Sequence, residues 1–191
     1  MNPFSRGGDP FPLVVSMTGV KMGDRIAFIG CAHGARLAAI AAKVGLSGRA
    51  VAYVPDESAA ARVRKGAEHG GVLVDVDVAR PVHLTAEDAA FDVAIVDDTA
   101  GLLGTMRAED RVATIRELLR ILRPGGRVVI LGAAPRGGFG AILTHAQSGP
   151  PFTASGQANL ALQADGFKSV RTLAEREGLV FVEGVKPRAL G

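Results

Sequence analysis

The chain has 191 residues, of which 48% are apolar and 21% charged. This composition can bury one substantial core and argues against a second domain. The formal net charge is +3, but lysine and arginine are scattered without a like-charged run, so we expect no nucleic-acid partner. A single cysteine excludes an internal disulfide, and no apolar stretch reaches the roughly 18 residues needed to cross a bilayer. No signal peptide is visible, and we expect a cytoplasmic protein.

The amino-terminal residues differ in composition from the rest of the chain. Residues 1–12 contain three prolines and two glycines without apolar periodicity, which predicts an irregular arm. Residues 13–191 are expected to form a single domain. From Arg25 onward, short apolar runs alternate with helical patterns, which indicates repeated strand-helix units and a mainly parallel sheet.

The predicted elements follow from periodicity and from turn residues. In chain order they are a strand at 26–29, a helix ending before Gly45, a strand at 50–54, a helix at 57–68, a strand at 72–78, a buried strand at 91–97, a helix at 108–122, a strand at 127–131, a short helix ending near 165, and an antiparallel hairpin of strands at 169–174 and 180–184. Residues 132–156 are rich in Gly, Pro, Ser and Thr. Because a long irregular connection inside a domain is often functional, we expect part of an acceptor site there.

Three segments have residue patterns that are typical of conserved sequence motifs in a known family. Residues 23–34 read Gly-Asp-Arg-Ile-Ala-Phe-Ile-Gly-Cys-Ala-His-Gly, residues 118–130 run through Pro-Gly-Gly into an apolar strand, and residues 164–170 contain Gly-Phe before the final hairpin. In order and spacing they resemble class I S-adenosylmethionine-dependent methyltransferases over roughly residues 18–186. The resemblance implies a doubly wound α/β fold with a mainly parallel seven-stranded sheet and a C-terminal antiparallel hairpin. It also implies methyl transfer from S-adenosylmethionine.

The resemblance assigns cofactor-binding roles to six positions. Small residues in the first motif let the backbone approach the cofactor, and an acid can accept hydrogen bonds from its ribose, adenine or ammonium groups. Two family acids are replaced, because Phe28 and Pro55 stand at the expected acidic positions. The implied cofactor-binding residues are Gly30, Ala32, Gly34, Asp56, Asp88 and Asp97.

Several of these acids have an alternative role. Asp56 either binds the ribose or caps the following helix. Asp88 either approaches the adenine or is a solvent-facing loop acid, with Glu87 as its alternative. Asp97 lies at the ligand-binding rim of a central strand, whereas Asp98 equally fits a turn cap.

Metal and base chemistry are not indicated by the sequence. Catechol-type methyltransferases carry a further acid-amide pair after strand five, where this chain has Leu131-Gly132, so no metal site is expected. His33 is either a base or a residue that starts the helix, and no general base is assigned. Cys31 is expected to be a small buried thiol rather than a nucleophile.

Two hypotheses remain for the function. The first is a methyltransferase acting on a small-molecule acceptor, supported by the order of the motifs. The second is a non-catalytic methyltransferase-like subunit that binds a protein partner or a second copy, supported by Phe28 and Pro55. A nicotinamide dehydrogenase is disfavoured because its glycine pattern would need glycine at Ala32 and Ala35. Nucleic-acid methylation is disfavoured because residues 97–100 read Asp-Asp-Thr-Ala.

Overall fold

The structure is a computed structural model that describes residues 11–134 and 151–188. Helices and strands alternate through most of the sequence, as expected for strand-helix units. The helices are α1 (Pro12–Thr18), α2 (Gly34–Val44), α3 (Glu57–Gly70), α4 (Leu102–Thr105), α5 (Ala108–Ile121) and α6 (Gln157–Ala164). The strands are β1 (Arg25–Ile29), β2 (Arg49–Val54), β3 (Asp75–Val78), β4 (Phe91–Asp98), β5 (Leu122–Ala133), β6 (Lys168–Arg176) and β7 (Leu179–Val185).

The strands form one sheet in the order β3-β2-β1-β4-β5-β7-β6. Strands β1 to β5 pair in parallel, whereas β7 pairs antiparallel with both β5 and β6. The predicted doubly wound, mainly parallel sheet with a C-terminal antiparallel hairpin is therefore confirmed. The strand order reverses between β1 and β4, and open α/β sheets bind ligands at the carboxyl ends of strands flanking such a point.

Helices cover both faces of the sheet. Helices α1, α2 and α3 contribute to one apolar core, and α4, α5 and α6 contribute to the other. Strand β4 lies between the two cores, so Val93 and Ile95 face the first and Ala94 and Val96 face the second. Burial on both faces explains why the apolar run of β4 shows so little alternation.

Helix α1 lies where the sequence predicted no helix. It begins at Pro12, a residue whose fixed φ and missing N–H suit the first helical position. Val14 and Val15 are buried against the sheet, and Nη2 of Arg127 donates to the Thr18 carbonyl at 3.0 Å. Residues 1–10 of the predicted arm lie outside the described residues. The chain before β1 is thus a short docked helix from Pro12 onward.

The connection between β3 and β4 contains no helix. Leu84 fills its place in the core, and the backbone N–H of Leu84 donates to Glu117 at 2.8 Å. Arg120 donates to the carbonyl of Ala86 at 2.8 Å and to that of Leu84 at 3.2 Å. These bonds hold the connection against α5. The connection thereby returns the chain to the amino ends of the parallel strands, where β4 begins.

Helices α2 and α3 approach closely through small residues. A Cβ on Gly66 would lie 2.7 Å from backbone atoms of Gly34, and a Cβ on Gly70 would lie 2.7 Å from Cβ of Ala38. The two contacts lie about one helical turn apart along each helix. Close packing of the helices therefore requires glycine at Gly66. Gly34 therefore has a structural role in addition to any role in ligand binding.

Candidate functional site

A glycine turn joins β1 to α2 at the carboxyl edge of the sheet. Gly30 has a φ of +75°, and a Cβ there would lie 2.8 Å from the carbonyl oxygen of Asp97. Both the left-handed backbone and this close approach require glycine. His33 occupies the N-cap of α2 in an extended conformation. The sharp turn predicted from the first motif is confirmed, and it packs directly against the end of β4.

An ion pair closes the edge between this turn and β4. Nη1 of Arg36, in the first turn of α2, donates to both carboxylate oxygens of Asp97 at 3.0 and 3.1 Å. Thr99 adds three bonds, since its hydroxyl accepts from Arg36 at 3.2 Å and donates to Oδ1 of Asp97, and its backbone N–H donates to the same oxygen at 3.1 Å. Both charged side chains are only 11% exposed. Asp97 is thus a paired, mostly buried carboxylate, and sequence reasoning did not find its partner.

The sequence held one indication that Arg36 has a special role, which is that it stands alone as a charged residue among apolar ones. It is the one charged residue of α2 before Lys43, and its neighbours are Ala35 and Leu37. An arginine in the first turn of an otherwise apolar helix indicates an oppositely charged partner elsewhere in the fold, because such a charge is rarely buried without one. The sequence offered no means of choosing that partner.

Phe28, at the first-motif position where the resemblance implies an acid, is buried. Its side chain is 4% exposed and belongs to the core beneath α2. Between it and the ion pair is a cavity of about 10 Å³, lined by residues that include Phe28, Cys31, Arg36, Ile95 and Asp97. That volume holds about one water molecule. The gap between Phe28 and the ion pair is therefore too small for a small-molecule ligand.

Asp56 and Ala32 lie on the same edge of the sheet as Gly30. Asp56 is the N-cap of α3, and its Oδ1 accepts from the backbone N–H of Ala59 at 2.8 Å. The predicted capping role of Asp56 is confirmed, while its ribose role stays a prediction. Ala32 lies in the exposed turn between β1 and α2, two residues after Gly30.

Asp88 does not join the other predicted residues. It lies three residues before β4 begins, at the amino end of that strand, whereas Gly30 lies at the carboxyl edge. Its carboxylate instead accepts from Nη1 of Arg120 at 2.6 Å and is largely exposed. Glu87 shares this location. The geometry argues against the predicted adenine contact, because the connection runs back to the far edge of the sheet before β4 starts.

Asp98 ties two segments together at the end of β4. Its Oδ1 accepts from the backbone N–H of Leu103 at 2.7 Å, and its Oδ2 accepts from the hydroxyl of Thr153 at 2.6 Å. Burial raises the pKa of Asp98, although these bonds favour the charged form. The turn-capping role considered for Asp98 is confirmed. Thr153 was missed because it lies 55 residues away along the chain.

A cleft of about 670 Å³ opens beside this buried bond, and we call it the β4–β5 cleft. Its volume is within the range typical of small-molecule sites. The guanidinium of Arg111 stacks 4.7 Å from the ring centroid of Phe152 at its wall. Its lining includes Asp98, Thr99, Thr105, Arg111, Ala133, Phe152, Ser155 and Gln157. Residues 135–150 of the predicted acceptor segment lie outside the described residues, so its acceptor role stays a prediction.

Cys31 and His33 have no catalytic geometry. Burial raises the pKa of the Cys31 thiol to about 12, and the nearby Asp97 carboxylate adds to this effect. The thiol therefore stays protonated and is a poor nucleophile, as predicted. His33 is exposed and starts α2. Within residues 11–134 and 151–188, no three His, Cys, Asp or Glu side chains are grouped as a metal site.

The ion pair fits the amino-acid end of S-adenosylmethionine in charge. That end is a zwitterion, and Arg36 and Asp97 offer one charge of each sign at the glycine turn. Nε of Arg36 is a buried donor without a hydrogen-bond acceptor, and a carboxylate is a suitable acceptor. The fit requires the pair to open, because the cavity beside it is far smaller than the ligand.

The fold, together with the glycine turn at the carboxyl edge of the sheet, defines a class I methyltransferase-like domain. The sequence pattern of the family described as "Methyltransferase domain" matches residues 26–126, which is more than half of the 191 residues. The chain belongs to this methyltransferase-domain family, as the sequence motifs predicted.

Individual relatives extend the comparison. The methyltransferase GfsG of Streptomyces halstedii is 27% identical over 86% of this chain and 55% of its own length. The ubiquinone/menaquinone biosynthesis C-methyltransferase UbiE of Idiomarina loihiensis is 28% identical over 61% of this chain and 45% of its own length. The chain thus spans about half the length of these curated relatives.

Solved structures share the fold. A SAM-dependent methyltransferase from Aquifex aeolicus superposes with a TM-score of 0.73 at 17% identity, over 91% of this chain and 88% of the other. Identity this low shows the fold alone. Across the described part of the chain, none of the helices combines the length and apolarity that a membrane crossing needs.

Proposed function

We propose that this chain is a S-adenosylmethionine-dependent methyltransferase domain that acts on a small-molecule acceptor. The observation that carries the proposal is the juxtaposition at the end of β4. Asp97 faces the glycine turn, and the next residue, Asp98, lines the open β4–β5 cleft. A methyl donor held at the turn and an acceptor held in the cleft would meet at this strand end, which is where open α/β sheets bind their ligands.

The chemistry requires little from the protein beyond positioning. When bound, S-adenosylmethionine supplies a methyl group that leaves its sulfonium while the acceptor's lone pair forms the new bond and the old electron pair remains on sulfur. Holding two reactants in line supplies much of the acceleration. Gly30 lets the backbone approach closely, and Arg36 and Asp97 hold the opposite charges. Buried Asp98 and Thr153 fix the cleft wall.

The cleft and the name of one relative support a proposal on the nature of the acceptor. A volume of about 670 Å³ suits a small molecule, and the stacked Arg111 and Phe152 offer a flat, cationic wall. One relative is named as an enzyme of ubiquinone and menaquinone biosynthesis. We therefore favour an acceptor with a planar or anionic group.

A non-catalytic subunit is the second candidate. The observation that favours it is the apolar Phe28 at the expected acidic position, together with the ion pair of Arg36 and Asp97, which borders a gap for about one water molecule. A protein that does not bind the cofactor has no need to open this pair. In that case the fold would serve to bind a protein partner or a second copy.

Calorimetric titration with S-adenosylmethionine and S-adenosylhomocysteine separates the two candidates. Ala32 is exposed in the glycine turn, so a large side chain there should not disturb the core. If the methyl donor is held at this turn, we expect Ala32→Arg to lose binding. The matched control is Ala61→Arg, at an exposed position on α3, which should bind as the wild type does. Absence of wild-type binding at millimolar ligand would refute the methyltransferase proposal and favour the non-catalytic subunit.

A further inference from the structure

A long groove runs between α2 and α3 on their solvent side. It has a volume of about 880 Å³ and is lined by residues of α2 between positions 34 and 43 and by residues of α3 between positions 62 and 70. We propose that this α2–α3 groove binds an acidic amphipathic helix of a protein partner. The proposal does not depend on the proposed function, because it concerns the outer surface of two helices and its test uses no methyl donor.

Small residues give the groove room for another helix. Its floor lies where Gly66 approaches Gly34 and where Gly70 approaches Ala38. The lining covers ten residues of α2, which at 1.5 Å per residue is about 15 Å, or nearly three turns. The side of α2 before Lys43 presents methyl groups only, from Ala35, Ala38, Ala39 and Ala42. A helix laid along this side can therefore pack closely.

The α3 side of the groove is basic. Arg62, Lys65 and His69 line it, and their spacing of three and four residues places them on one face of the helix. The acidic residues Glu57 and Glu68 do not line the groove, because their positions fall on a stripe roughly 100° away around α3. The charges of α3 are thus sorted, and a single sign faces the groove.

These positive charges are left without acidic partners in the described part of the chain. Nη1 of Arg62 donates to the hydroxyl of Ser58 at 2.9 Å, which is a neutral acceptor. By contrast, Arg64 on the other stripe pairs with Glu57 at 3.2 Å. Within residues 11–134 and 151–188, neither Arg62 nor Lys65 forms an ion pair. Acidic side chains of a partner would complement them.

Two exposed leucines lie beyond one end of the groove. Leu46 is 94% exposed and Leu73 is 82% exposed, and each lies three residues after the last groove-lining residue of its helix. Their loops are neighbours, because Arg49 and Asp75, which follow them, form an ion pair at 2.8 Å. Neighbouring exposed apolar side chains are typical of a contact surface. The occupant of the groove therefore needs apolar as well as acidic residues.

An acidic amphipathic helix satisfies both requirements. Its acidic stripe would face the basic side of α3, while its apolar stripe would contact the alanines of α2 and the two leucines. A second copy of this chain is a poorer occupant. In a twofold dimer a surface patch meets itself, so Arg62 and Lys65 would face their own copies, and opposed like charges are unfavourable.

The test uses a synthetic alanine-based helical peptide of about 18 residues, a length at which such helices form. Glutamates at i, i+3 and i+7 give it one acidic face, and leucines occupy its first and last turns. Binding is followed by fluorescence anisotropy of the labelled peptide at low and high salt. The control peptide has the same composition, but its glutamates are distributed around the helix.

Two pairs of protein variants locate the binding. Arg62→Gln/Lys65→Gln should weaken the peptide about 2- to 30-fold, as for loss of two exposed ion pairs. Its matched control is Arg64→Gln/Arg80→Gln, which removes the same charge from exposed residues outside the groove and should change binding less than about twofold. Ala42→Trp should fill the groove and weaken binding, whereas Ala61→Trp, exposed on the other stripe of α3, should not.

Each outcome supports or overturns the proposal. Binding that weakens in both groove variants and is kept in both controls supports it. Absence of wild-type binding at millimolar peptide overturns it, as does equal weakening in the groove variants and their controls. Equally tight binding of the control peptide, a single-stranded oligonucleotide or phosphatidylserine vesicles also overturns it, because the surface then attracts anions in general. A dimer in analytical ultracentrifugation that dissociates in Ala42→Trp assigns the groove to a second copy instead.

Discussion

Replacing Thr153 by valine tests the buried bond that fixes the wall of the β4–β5 cleft. Thr153 is 1% exposed, and its hydroxyl donates to Asp98 over 2.6 Å. Valine puts a methyl group where the hydroxyl was, so a buried carboxylate loses a donor. Because a hydrogen bond to a charged group contributes about 1.5–3 kcal/mol, we expect Thr153→Val to lower the free energy of unfolding by about that amount.

The pH dependence of stability gives an independent check on Asp98. Burial raises its pKa above the ordinary value of 3.8. A group whose pKa is higher in the folded state stabilises the fold below its unfolded pKa, and this contribution is lost as pH rises through the folded pKa. Asparagine cannot ionise. Asp98→Asn should therefore gain stability relative to the wild type as pH rises above 3.8 through the raised pKa.

Urea unfolding followed by far-ultraviolet circular dichroism measures both effects, and a double-mutant cycle isolates their coupling. Residues in contact typically show coupling energies of about 0.5–3 kcal/mol, which is what we expect between Asp98→Asn and Thr153→Val. The matched control is Thr105→Val, at an exposed position on α4, which should change stability by less than about 0.5 kcal/mol. A coupling energy near zero, or a Thr153→Val variant as stable as the control, would refute the reasoning.

Three further substitutions or reactions test the packing at the site. Gly66→Ala should lower the free energy of unfolding by about 1–3 kcal/mol, since its Cβ would lie 2.7 Å from the backbone of Gly34; a stabilised variant in urea denaturation would contradict the helix crossing. Gly30→Ala should lose more stability than Gly178→Ala, because both have positive φ but a Cβ at Gly178 meets nothing within 4 Å; equal losses would show that backbone strain alone requires the glycine. Cys31, whose pKa burial raises to about 12, should alkylate far more slowly in the folded protein than in urea at about pH 8, and equal rates by mass spectrometry would contradict the raised pKa of this half-buried thiol.

The sequence by itself determined the sheet, the glycine turn and the family. These depend on short-range patterns: apolar runs of strand length, helical periodicity, and glycines at required turns such as Gly30. The helix before residue 122 and the strand from Arg127 were legible for the same reason, but the predicted Pro-Gly-Gly turn between them was wrong, because β5 already begins at Leu122. Asp56 was also legible as a possible cap, because a capping side chain and the backbone N–H that donates to it lie within one helical turn.

Only the tertiary structure decided how the edge of the sheet is arranged. Arg36 and Asp97 are 61 residues apart, and Asp98 and Thr153 are 55 apart. Asp88 was predicted beside the adenine because it matches an acidic position of the family, yet its connection returns to the opposite edge of the sheet. Local patterns state which residues end each strand, but the pairing of side chains depends on which strand ends and loops meet in space. That information belongs to the packed fold.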